Sequence, residues 1–577
     1  MPQVALRSER WFARQDEMGL RHRAVLSTLG YDPARIAGRP IIGICNPASE
    51  FNQCEIGFRE LVPAIKRGVV EAGGIPLEFP TMALGADLLK PADMLYRNLV
   101  SMDIEESIRG YPMDGVVLLA NCDKTTPAQL MAAASADIPA IQFSAGPKAV
   151  GYFRNQAIST GTDLWKFWDE YRAGRLSQDE WREFEACLFC SSGACNEMGT
   201  TSTMTALSEV LGMMPAGSST IPANDSRRLQ AAQEVGRRIV EMVWTGLRPS
   251  ALLTEQAFAN AIRALAALGG STNAIVHLVA IAGRRGIHLP LSLFDELFRD
   301  TPLLANLKPS GCYLLDHFHR AGGVPALLKQ IAPLLHLECL TCSGQTLGKV
   351  IKAAHCYDPD VIRPVAQALT QGGALATLSG NLIPGGAVMK VSAASPGLMV
   401  HTGPALVFDG YEEMLARIKR ADLGVTPDSV LILRNAGPRG APGMPEWGQI
   451  PVPAKLLRQG VRDLVRISDA RMSGTSYGTV VLHAAPEAAA GGPLAVVRDG
   501  DPIRLDVPAR RLDILISDEE LQARLARWSP PLSPHLRGYP RLYIDHVLQA
   551  DQGCDFDFLR PMGEAALHFV EPLVGRS

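Results

Sequence analysis

The sequence predicts an α/β protein with an amino-terminal domain built on a parallel sheet and a carboxyl-terminal, mostly β, barrel-like domain. Up to Phe143, short apolar runs alternate with amphipathic helical segments, as in parallel sheets. From about Ala374, the pattern changes to short β-rich runs separated by Gly and Pro. The chain has 577 residues, too many for one hydrophobic core. We therefore expect two domains, residues 1–373 and 374–577.

The composition favours an enzyme that acts on a small molecule. The formal net charge is -3 and the basic residues are scattered, so the chain lacks the basic surface of a nucleic-acid-binding protein. No apolar run approaches the roughly 18 residues of a membrane span, and the first ten residues contain no apolar signal-peptide core. We therefore expect a cytoplasmic protein without membrane contact. Its eleven cysteines, an odd number, suggest reduced thiols.

Reactive side chains follow the predicted strands of the first domain. Cys122, Asp123 and Lys124 come directly after one buried apolar run, and Cys54 follows an earlier one. The carboxyl ends of parallel strands meet at one edge of a sheet, where ligands bind, so we expect these residues to lie together. A third loop, residues 80–87, should reach the same edge. The predicted strands are 39–45, 75–79, 116–120 and 138–143, and the predicted helices after the two cysteine loops are 58–72 and 127–136.

Another cysteine, Cys195, lies in a loop of small residues before a predicted helix, 203–211. The neighbouring Gly193 and Ala194 allow a bulky group to approach the backbone, and the free N–H groups of the helix start could bind sulfide or a substrate anion. A zinc site is a competing interpretation, because two Cys-x-x-Cys pairs exist. Their wide separation and the lack of knuckle glycines or prolines argue against it. Those pairs are Cys187 with Cys190 and Cys339 with Cys342.

Residues 215–300 have a helical pattern, interrupted at 268–277, where Ser271 and Thr272 are suitable N-caps. This helix start could bind a substrate carboxylate or could simply be packed, and both interpretations stay open. In the second domain, two loops carry catalytic residue types, around Glu446 and Ser473. The predicted strands there are 387–391, 398–401, 405–408, 430–434, 464–468 and 494–498.

Six motifs, in this order, resemble the family of dihydroxy-acid and sugar-acid dehydratases. These enzymes use an iron–sulfur cluster to remove water from 2,3-dihydroxy carboxylates. The resemblance extends from about residue 38 to 520, and the segment 94–99 resembles the branch that acts on aldonic acids such as arabinonate and xylonate. The motifs are residues 121–127, 192–200, 269–274, 380–388, 440–446 and 468–474.

The resemblance implies specific roles for residues at matching positions. Cys54, Cys122 and Cys195 would ligate a [2Fe–2S] cluster with an open coordination site on one iron, a Lewis acid for the departing hydroxyl. Asp123, Glu446 and a carbamylated Lys124 would bind Mg²⁺, which prefers oxygen ligands. Ser473 would be the base that takes the C2 proton, assisted by Thr475. The product would be a 2-keto-3-deoxy acid, and we expect a homodimer or homotetramer.

Three positions depart from the family pattern. Ala86 stands where the sugar-acid branch has a Glu that resembles a magnesium ligand, and Asp87 is the neighbouring carboxylate that could compensate. Glu55 replaces a His after the first cluster cysteine, and Ala48 replaces a Trp in the preceding loop. These changes suggest an altered substrate or a weakened magnesium site.

Other functions stay open at this point. The chain could be a dihydroxy-acid dehydratase of branched-chain amino-acid synthesis, or a family member that binds a cluster without catalysis. A serine hydrolase is a remote alternative, because Gly474–Gly478 matches the G-x-S-x-G pattern around Ser476, with His483, Asp499 and His535 nearby in sequence. That motif requires a helix after the serine, and residues 479–482 have a strand pattern instead.

Overall fold

The computed structural model describes residues 5–568 and 570–576, so the first four residues of the amino-terminal stretch lie outside the described residues. A parallel sheet forms the centre of the first domain, in the strand order β2-β1-β3-β4. Residue pairs such as Ile42 with Gly115 and Val116 with Ala140 set its register. Its strands are β1 (Ile41–Asn46), β2 (Ile75–Pro80), β3 (Gly115–Leu119) and β4 (Ala140–Phe143).

Helices cover both faces of this sheet and form a large apolar core with it. Residues 116–119 are buried completely, as expected for a strand covered on both faces. In chain order the helices are α1 (Glu9–Phe12), α2 (Glu17–Ser27), α3 (Phe58–Glu71), α4 (Arg97–Gly110), α5 (Thr125–Ala136), α6 (Thr162–Arg172), α7 (Gln178–Leu188), α8 (Thr200–Val210), α9 (Arg227–Thr245), α10 (Pro249–Leu252), α11 (Glu255–Leu268), α12 (Asn273–Arg284), α13 (Leu291–Arg299), α14 (Leu315–Arg320), α15 (Gly323–Gln330) and α16 (Leu347–Lys352). A hairpin of β5 (Gly151–Phe153) and β6 (Gln156–Ile158) precedes α6.

The second domain contains a closed barrel in the order β10-β11-β12-β8-β7-β14-β13-β9, which confirms the predicted architecture. It contains both parallel pairs, such as β9 with β10, and antiparallel pairs, such as β8 with β12. Its strands are β7 (Ala376–Gly380), β8 (Ile383–Met389), β9 (Val400–Asp409), β10 (Val430–Arg434), β11 (Arg466–Ser468), β12 (Val480–Ala485), β13 (Pro502–Asp506) and β14 (Arg511–Ile514). The helices of this half are α17 (Tyr411–Arg417), α18 (Ala454–Arg458), α19 (Asp518–Leu525) and α20 (Gly538–His546).

One predicted barrel strand is wrong. Residues 494–498 were expected to be extended, but Pro493–Val496 form a turn of 3₁₀-helix. Pro493 has a φ suited to a helix and has no N–H to donate to a neighbouring strand. The apolar residues after it therefore form a 3₁₀ turn instead of a strand. Two other predicted runs, 398–401 and 405–408, belong to the single strand β9. The boundary between residues 373 and 374 stays a prediction.

The chain after the barrel returns to the first domain. Asp555 forms a fully buried ion pair with Arg284 at the end of α12, 2.6 Å from Asp555 Oδ2 to Arg284 Nε. Arg97 of α4 donates to the carbonyl oxygens of Gly553 and Cys554 at 2.9 and 2.8 Å. Buried hydrogen-bonded charges therefore connect the two halves. No helix in the described ranges has the length and apolar character needed to cross a membrane.

Candidate active site

Three loops at the carboxyl edge of the parallel sheet bring cysteines together. The thiols of Cys54, after β1, and Cys122, after β3, are close enough to shift each other's pKa. The Asn121 side chain donates to the carbonyl oxygens of Cys54 and Gly146 at 2.8 and 2.9 Å, which ties the loops after β1, β3 and β4 to one another. The loop of Cys195 joins them through the Gly193 N–H, which donates to the Gln53 carbonyl at 3.1 Å.

These thiols are protonated unless a cation binds them. The interaction with Cys122 lowers the pKa of the Cys54 thiol, but burial and the nearby Cys195 outweigh it and leave that pKa raised. Burial likewise raises the pKa of Cys195. The Lys148 ammonium acts in the opposite direction on Cys54 and Cys195. It is buried 3.9 Å from the centre of the Phe189 ring. Thiolates here would thus form together with a positively charged cofactor.

A second group of charges surrounds Lys124, which begins the helix after Cys122. Its buried ammonium lies 3.4 Å from Asp123 Oδ2, 3.8 Å from Asp93 Oδ2 and 3.9 Å from Glu446 Oε1. Burial and the neighbouring carboxylates raise the pKa of Asp93, which Lys124 partly offsets. Asp93 Oδ2 accepts no hydrogen bond from the described residues. A buried carboxylate oxygen without a donor is suited to a cation.

Glu446 reaches this group from the barrel domain. Its Oε1 accepts hydrogen bonds from Asn273 Nδ2 at 2.8 Å and from Arg471 Nη1 at 2.9 Å. The loop before it passes directly against the backbone of Leu95, where a side chain at Gly443 would place its Cβ 2.6 Å from the Leu95 Cβ. Gly443 also has a φ of +90°. Only glycine satisfies both conditions without strain, so this position brings Glu446 to the loop of Asp93.

Ser473 lies in a loop between β11 and β12. Its Oγ is 2.9 Å from Thr475 Oγ1, and the Thr475 N–H donates to it at 3.4 Å. The indole of Trp165, in α6, donates to Thr475 Oγ1 at 3.2 Å, and the Thr162 hydroxyl donates to the Thr475 carbonyl at 3.0 Å. Helix α6 of the first domain therefore holds the serine loop of the second.

One side chain connects the carboxylate group to the serine loop. Asn273 Nδ2 donates to Glu446 Oε1 and also, at 3.0 Å, to the carbonyl of Met472, next to Ser473. Asn273 is the first residue of α12, and its N–H donates to the Ser271 hydroxyl at 3.2 Å. The helix start singled out in the sequence thus belongs to the same site. It organises polar groups there, whereas carboxylate binding by its N–H groups stays a prediction.

Comparison with known proteins identifies the chain. The family model for the dihydroxy-acid/6-phosphogluconate dehydratase N-terminal domain matches residues 39–350, and the model for the C-terminal domain matches residues 360–554. The chain belongs to the dihydroxy-acid/6-phosphogluconate dehydratase family. It is thereby a dehydratase, that is, a hydro-lyase. This assignment excludes the alternative of a family member that binds a cluster without catalysis.

Curated relatives of this dehydratase family match over nearly their whole length. An L-arabinonate dehydratase of Rhizobium leguminosarum bv. trifolii (strain WSM2304) is 50% identical over 557 residues, 96% of each chain. A 6-deoxy-6-sulfo-D-gluconate dehydratase of Pseudomonas putida is 49% identical over 564 residues, 97% of each chain. A dihydroxy-acid dehydratase of Ignicoccus hospitalis (strain KIN4/I / DSM 18386 / JCM 14125) is 39% identical over 540 residues, 92% of this chain and 97% of the relative.

Asp87 and Glu55, two of the positions noted in the sequence, lie on the cysteine side of the site. Asp87 is exposed, and its Oδ2 accepts from Gln53 Nε2, next to Cys54, at 3.2 Å. Asp87 thus contacts the loop of Cys54. The carboxylate beside Lys124 is that of Asp93 instead. Glu55 is buried, and burial raises its pKa to about 8, so it is protonated at neutral pH.

The donor sets fit the implied cofactors in chemistry. Three thiols suit iron–sulfur ligation, and the carboxylates of Asp93, Asp123 and Glu446 suit a hard divalent cation. Carbamylation of Lys124 would change the charge of its group by two, and one divalent cation would restore it. Within the described ranges, no three His, Cys, Asp or Glu side chains already stand at metal-binding spacing.

Two alternatives do not agree with the dehydratase structure. The zinc pairs have separate neighbours, since Cys190 Sγ donates to the Ala149 carbonyl whereas Cys339 Sγ lies 3.6 Å from Asn260 Nδ2. The hydrolase motif fails because Ser476 leads into strand β12 rather than a helix. Its buried hydroxyl also has no hydrogen-bond partner among the described residues.

Sequence reasoning missed several residues of this site, namely Asp93, Lys148, Trp165, Thr201 and Arg471. Thr201 donates to Asp123 Oδ1 at 2.5 Å. Two signals were present. Asp93 directly precedes the segment that indicated the sugar-acid branch, and Arg471 lies within the motif of Ser473. Trp165 and Lys148 lie outside every motif, and only the packing of α6 and of the Cys195 loop brings them to the site.

Proposed function

We propose that this enzyme dehydrates a 2,3-dihydroxy carboxylate, specifically a sugar (aldonic) acid, to the 2-keto-3-deoxy acid. The observation that carries the proposal is the double hydrogen bond of Asn273, which links Glu446 beside Lys124 with the carbonyl preceding Ser473. A carboxylate group suited to a cation and a candidate base are thus linked through one side chain. This arrangement matches a reaction in which the substrate is held at one side and deprotonated from the other.

In the proposed reaction, Ser473 Oγ takes the proton from C2. A free serine hydroxyl is almost fully protonated at neutral pH, so this role requires donors that stabilise the alkoxide. The Thr475 N–H and hydroxyl are such donors, and Trp165 orients Thr475. The C3 hydroxyl then leaves and departs with a proton as water. The resulting enol tautomerises to the 2-keto acid, so substrate equals product plus one water.

The cofactors would supply the remaining charge stabilisation. We propose that Cys54, Cys122 and Cys195 hold a [2Fe–2S] cluster, and that Asp123, Glu446 and carbamylated Lys124 hold Mg²⁺, with Asp93 as a further candidate. When bound, these groups supply Lewis-acid sites for the departing hydroxyl and for the substrate carboxylate with its 2-hydroxyl. Whether Asp87 contributes to the magnesium site stays part of the proposal.

The sugar-acid class rests on the relatives. Of the relatives described above, the L-arabinonate dehydratase and the 6-deoxy-6-sulfo-D-gluconate dehydratase share about half of their residues with this chain, whereas the dihydroxy-acid dehydratase shares 39%. We also propose a cytoplasmic homodimer or homotetramer, which size-exclusion chromatography with light scattering would test.

The decisive experiment is a substrate panel. Purified protein, reconstituted anaerobically with iron and sulfide and supplied with Mg²⁺, is incubated with aldonic acids and with 2,3-dihydroxy-3-methylbutanoate, and 2-keto acid formation is measured. We expect turnover with at least one aldonic acid. Preference for 2,3-dihydroxy-3-methylbutanoate would favour the branched-chain pathway enzyme. A protein with an intact cluster and no turnover on any substrate would refute the proposal.

The base is tested in the same assay with two serine variants. Ser473→Ala should keep its iron content and lose turnover by about a hundredfold or more. Ser476→Ala is the matched control three residues further along the same loop, and it should lose much less because its hydroxyl has no hydrogen-bond partner among the described residues. If Ser473→Ala retains full activity, another group takes the C2 proton.

A further inference from the structure

A buried lysine outside the metal groups contacts the serine loop. Lys390 directly follows β8, at the end of the motif 380–388, and is 1% exposed. Its Nζ donates to the carbonyl oxygen of Gly474 at 3.3 Å. Burial alone lowers the pKa of Lys390 to about 7, without a contribution from any neighbouring charge. The surroundings of this amine differ from those of Lys124 and Lys308, because each of those two amines lies beside a carboxylate.

The contact reaches Ser473 through a single peptide group. The carbonyl of Gly474 and the N–H of Thr475 belong to the same peptide unit. Its oxygen accepts from Lys390, and its N–H donates to Ser473 Oγ at 3.4 Å. A cation on the oxygen polarises the peptide, which makes the N–H a stronger donor toward an anion. A positive charge on Lys390 thus favours the deprotonated form of Ser473.

The energetic cost of this lysine supports a function. A buried ammonium without an anionic partner is unfavourable, and one carbonyl contact offsets little of the lost hydration. An alkoxide on the next residue would supply the missing anion, and each charge would then stabilise the other. Buried groups in such unfavourable states concentrate at functional sites.

We infer that Lys390 is a positioning residue for the dehydration, which orients and polarises the Gly474–Thr475 peptide so that it stabilises the Ser473 alkoxide. This inference rests on the proposed role of Ser473 as the base. It assigns no substrate contact to Lys390. It predicts that loss of the lysine slows removal of the C2 proton and leaves substrate binding nearly unchanged.

The test compares cofactor-loaded wild-type enzyme with Lys390→Met, Lys390→Arg and Lys390→Ala on the aldonic acid that the wild type converts best. We expect Lys390→Met to reduce kcat about 10- to 100-fold with little change in KM. The kinetic isotope effect with C2-deuterated substrate should increase, because proton removal becomes more fully rate-limiting. Lys390→Arg, which keeps the charge, should retain more activity than Lys390→Met. Added ethylamine should partly restore Lys390→Ala, whereas ethanol should not.

Controls separate this role from a structural one. Lys308→Met removes another largely buried lysine, whose Nζ donates to Asp163 at 2.6 Å, and should leave the isotope effect at its wild-type value. Iron content and melting temperature are measured for every variant. Lys390→Met with near-wild-type kcat would overturn the inference. So would a loss of activity with an unchanged isotope effect and no rescue by arginine or ethylamine.

Failure of the proposed base has a different signature. If Ser473→Ala remains active, the role of Ser473 is wrong whatever Lys390 does. If Ser473→Ala is inactive while Lys390→Met resembles the wild type, the base assignment stands and only the inference about Lys390 is wrong.

Discussion

At the scale of single residues, charge around Lys124 determines how the site could take up a metal. Asp93 is the buried member of that group, and its Oδ2 lies 3.8 Å from the Lys124 Nζ. Asp87, in contrast, is exposed and hydrogen bonded to Gln53. A buried carboxylate contributes more to a cation site than an exposed one, because water screens the exposed charge.

We therefore expect Asp93→Asn to raise the Mg²⁺ concentration needed for half-maximal binding by about tenfold or more, as for other groups that support metal sites. Asp87→Asn should change it by less than about twofold. Magnesium titration of chelator-treated protein by calorimetry measures both. The opposite order would make Asp87 the compensating ligand that the sequence suggested. Ala86→Glu, which restores the family carboxylate, should tighten binding in that case.

The cysteines allow a separate test of the cluster. Cys122→Ser should abolish the visible absorbance of the reconstituted protein, because Cys122 is buried and lies beside Cys54 among the proposed ligands. Cys312→Ser is the matched control, since Cys312 is exposed and lies in another loop. Absorbance spectra and iron content decide the result. Equal loss in both variants would indicate general misfolding rather than loss of a ligand.

At the scale of secondary-structure elements, α8 joins the active site to the protein core. Its first turn places Thr201 against Asp123, and its last turn carries the buried Glu209. Glu209 accepts hydrogen bonds from the Gly217 N–H at 2.6 Å and from the Ser219 hydroxyl at 2.6 Å. Burial nevertheless raises the pKa of Glu209 from 4.5 to about 7.

This raised pKa predicts a pH-dependent stability. Folded Glu209 keeps its proton up to about pH 7, whereas the unfolded chain loses it near 4.5. Its stabilising contribution is complete below pH 4.5 and is lost as the pH rises through 7. The total is on the order of 3 kcal/mol. Glu209→Gln should flatten this part of the curve of unfolding free energy against pH, measured by denaturant titration. An unchanged slope would contradict the assignment.

The elements also indicate what the sequence alone can predict. Strand β3 and helix α5 were predictable because an apolar run and a helical period express local rules. Strands β13 and β14 were not predicted, because the predicted strands were mostly continuous apolar runs, although the alternation of apolar and charged residues in Pro502–Asp506 is also a strand pattern. Cys122, Cys195, Glu446 and Ser473 lie within motifs and Cys54 follows a predicted strand, so all five could be named. Asp93 adjoins the segment 94–99, but its role, like that of Trp165, depends on packing, namely of Gly443 against Leu95 and of α6 against Thr475.

At the scale of the whole molecule, the chain after the barrel holds the two halves together. Asp555 and Arg284 are both fully buried, and Arg284 also contacts Glu105 of α4 at 3.2 Å. Removing one partner of such a pair leaves a buried charge without compensation. The pair therefore matters more for domain docking than ion pairs on the surface.

We expect Asp555→Ala to lower the free energy of unfolding by about 3 to 5 kcal/mol. Asp545→Ala is the matched control on the same carboxyl-terminal segment. It removes a largely exposed pair with Arg541, and its cost should not exceed about 0.5 kcal/mol. Guanidinium denaturation followed by fluorescence compares the two. Similar small shifts would mean that docking depends on apolar packing instead.

The amide of Asn273 has a consequence for how such a protein can evolve. It touches Glu446 and the Met472 carbonyl, both from the barrel half, while itself belonging to the other half. In the proposed site the residues come from both halves, so a fragment that encodes only one half should have no dehydratase activity. A change of substrate preference should then require matched substitutions in both halves. Chimeras that exchange whole halves between distant relatives should be inactive until the residues around Asn273 are matched.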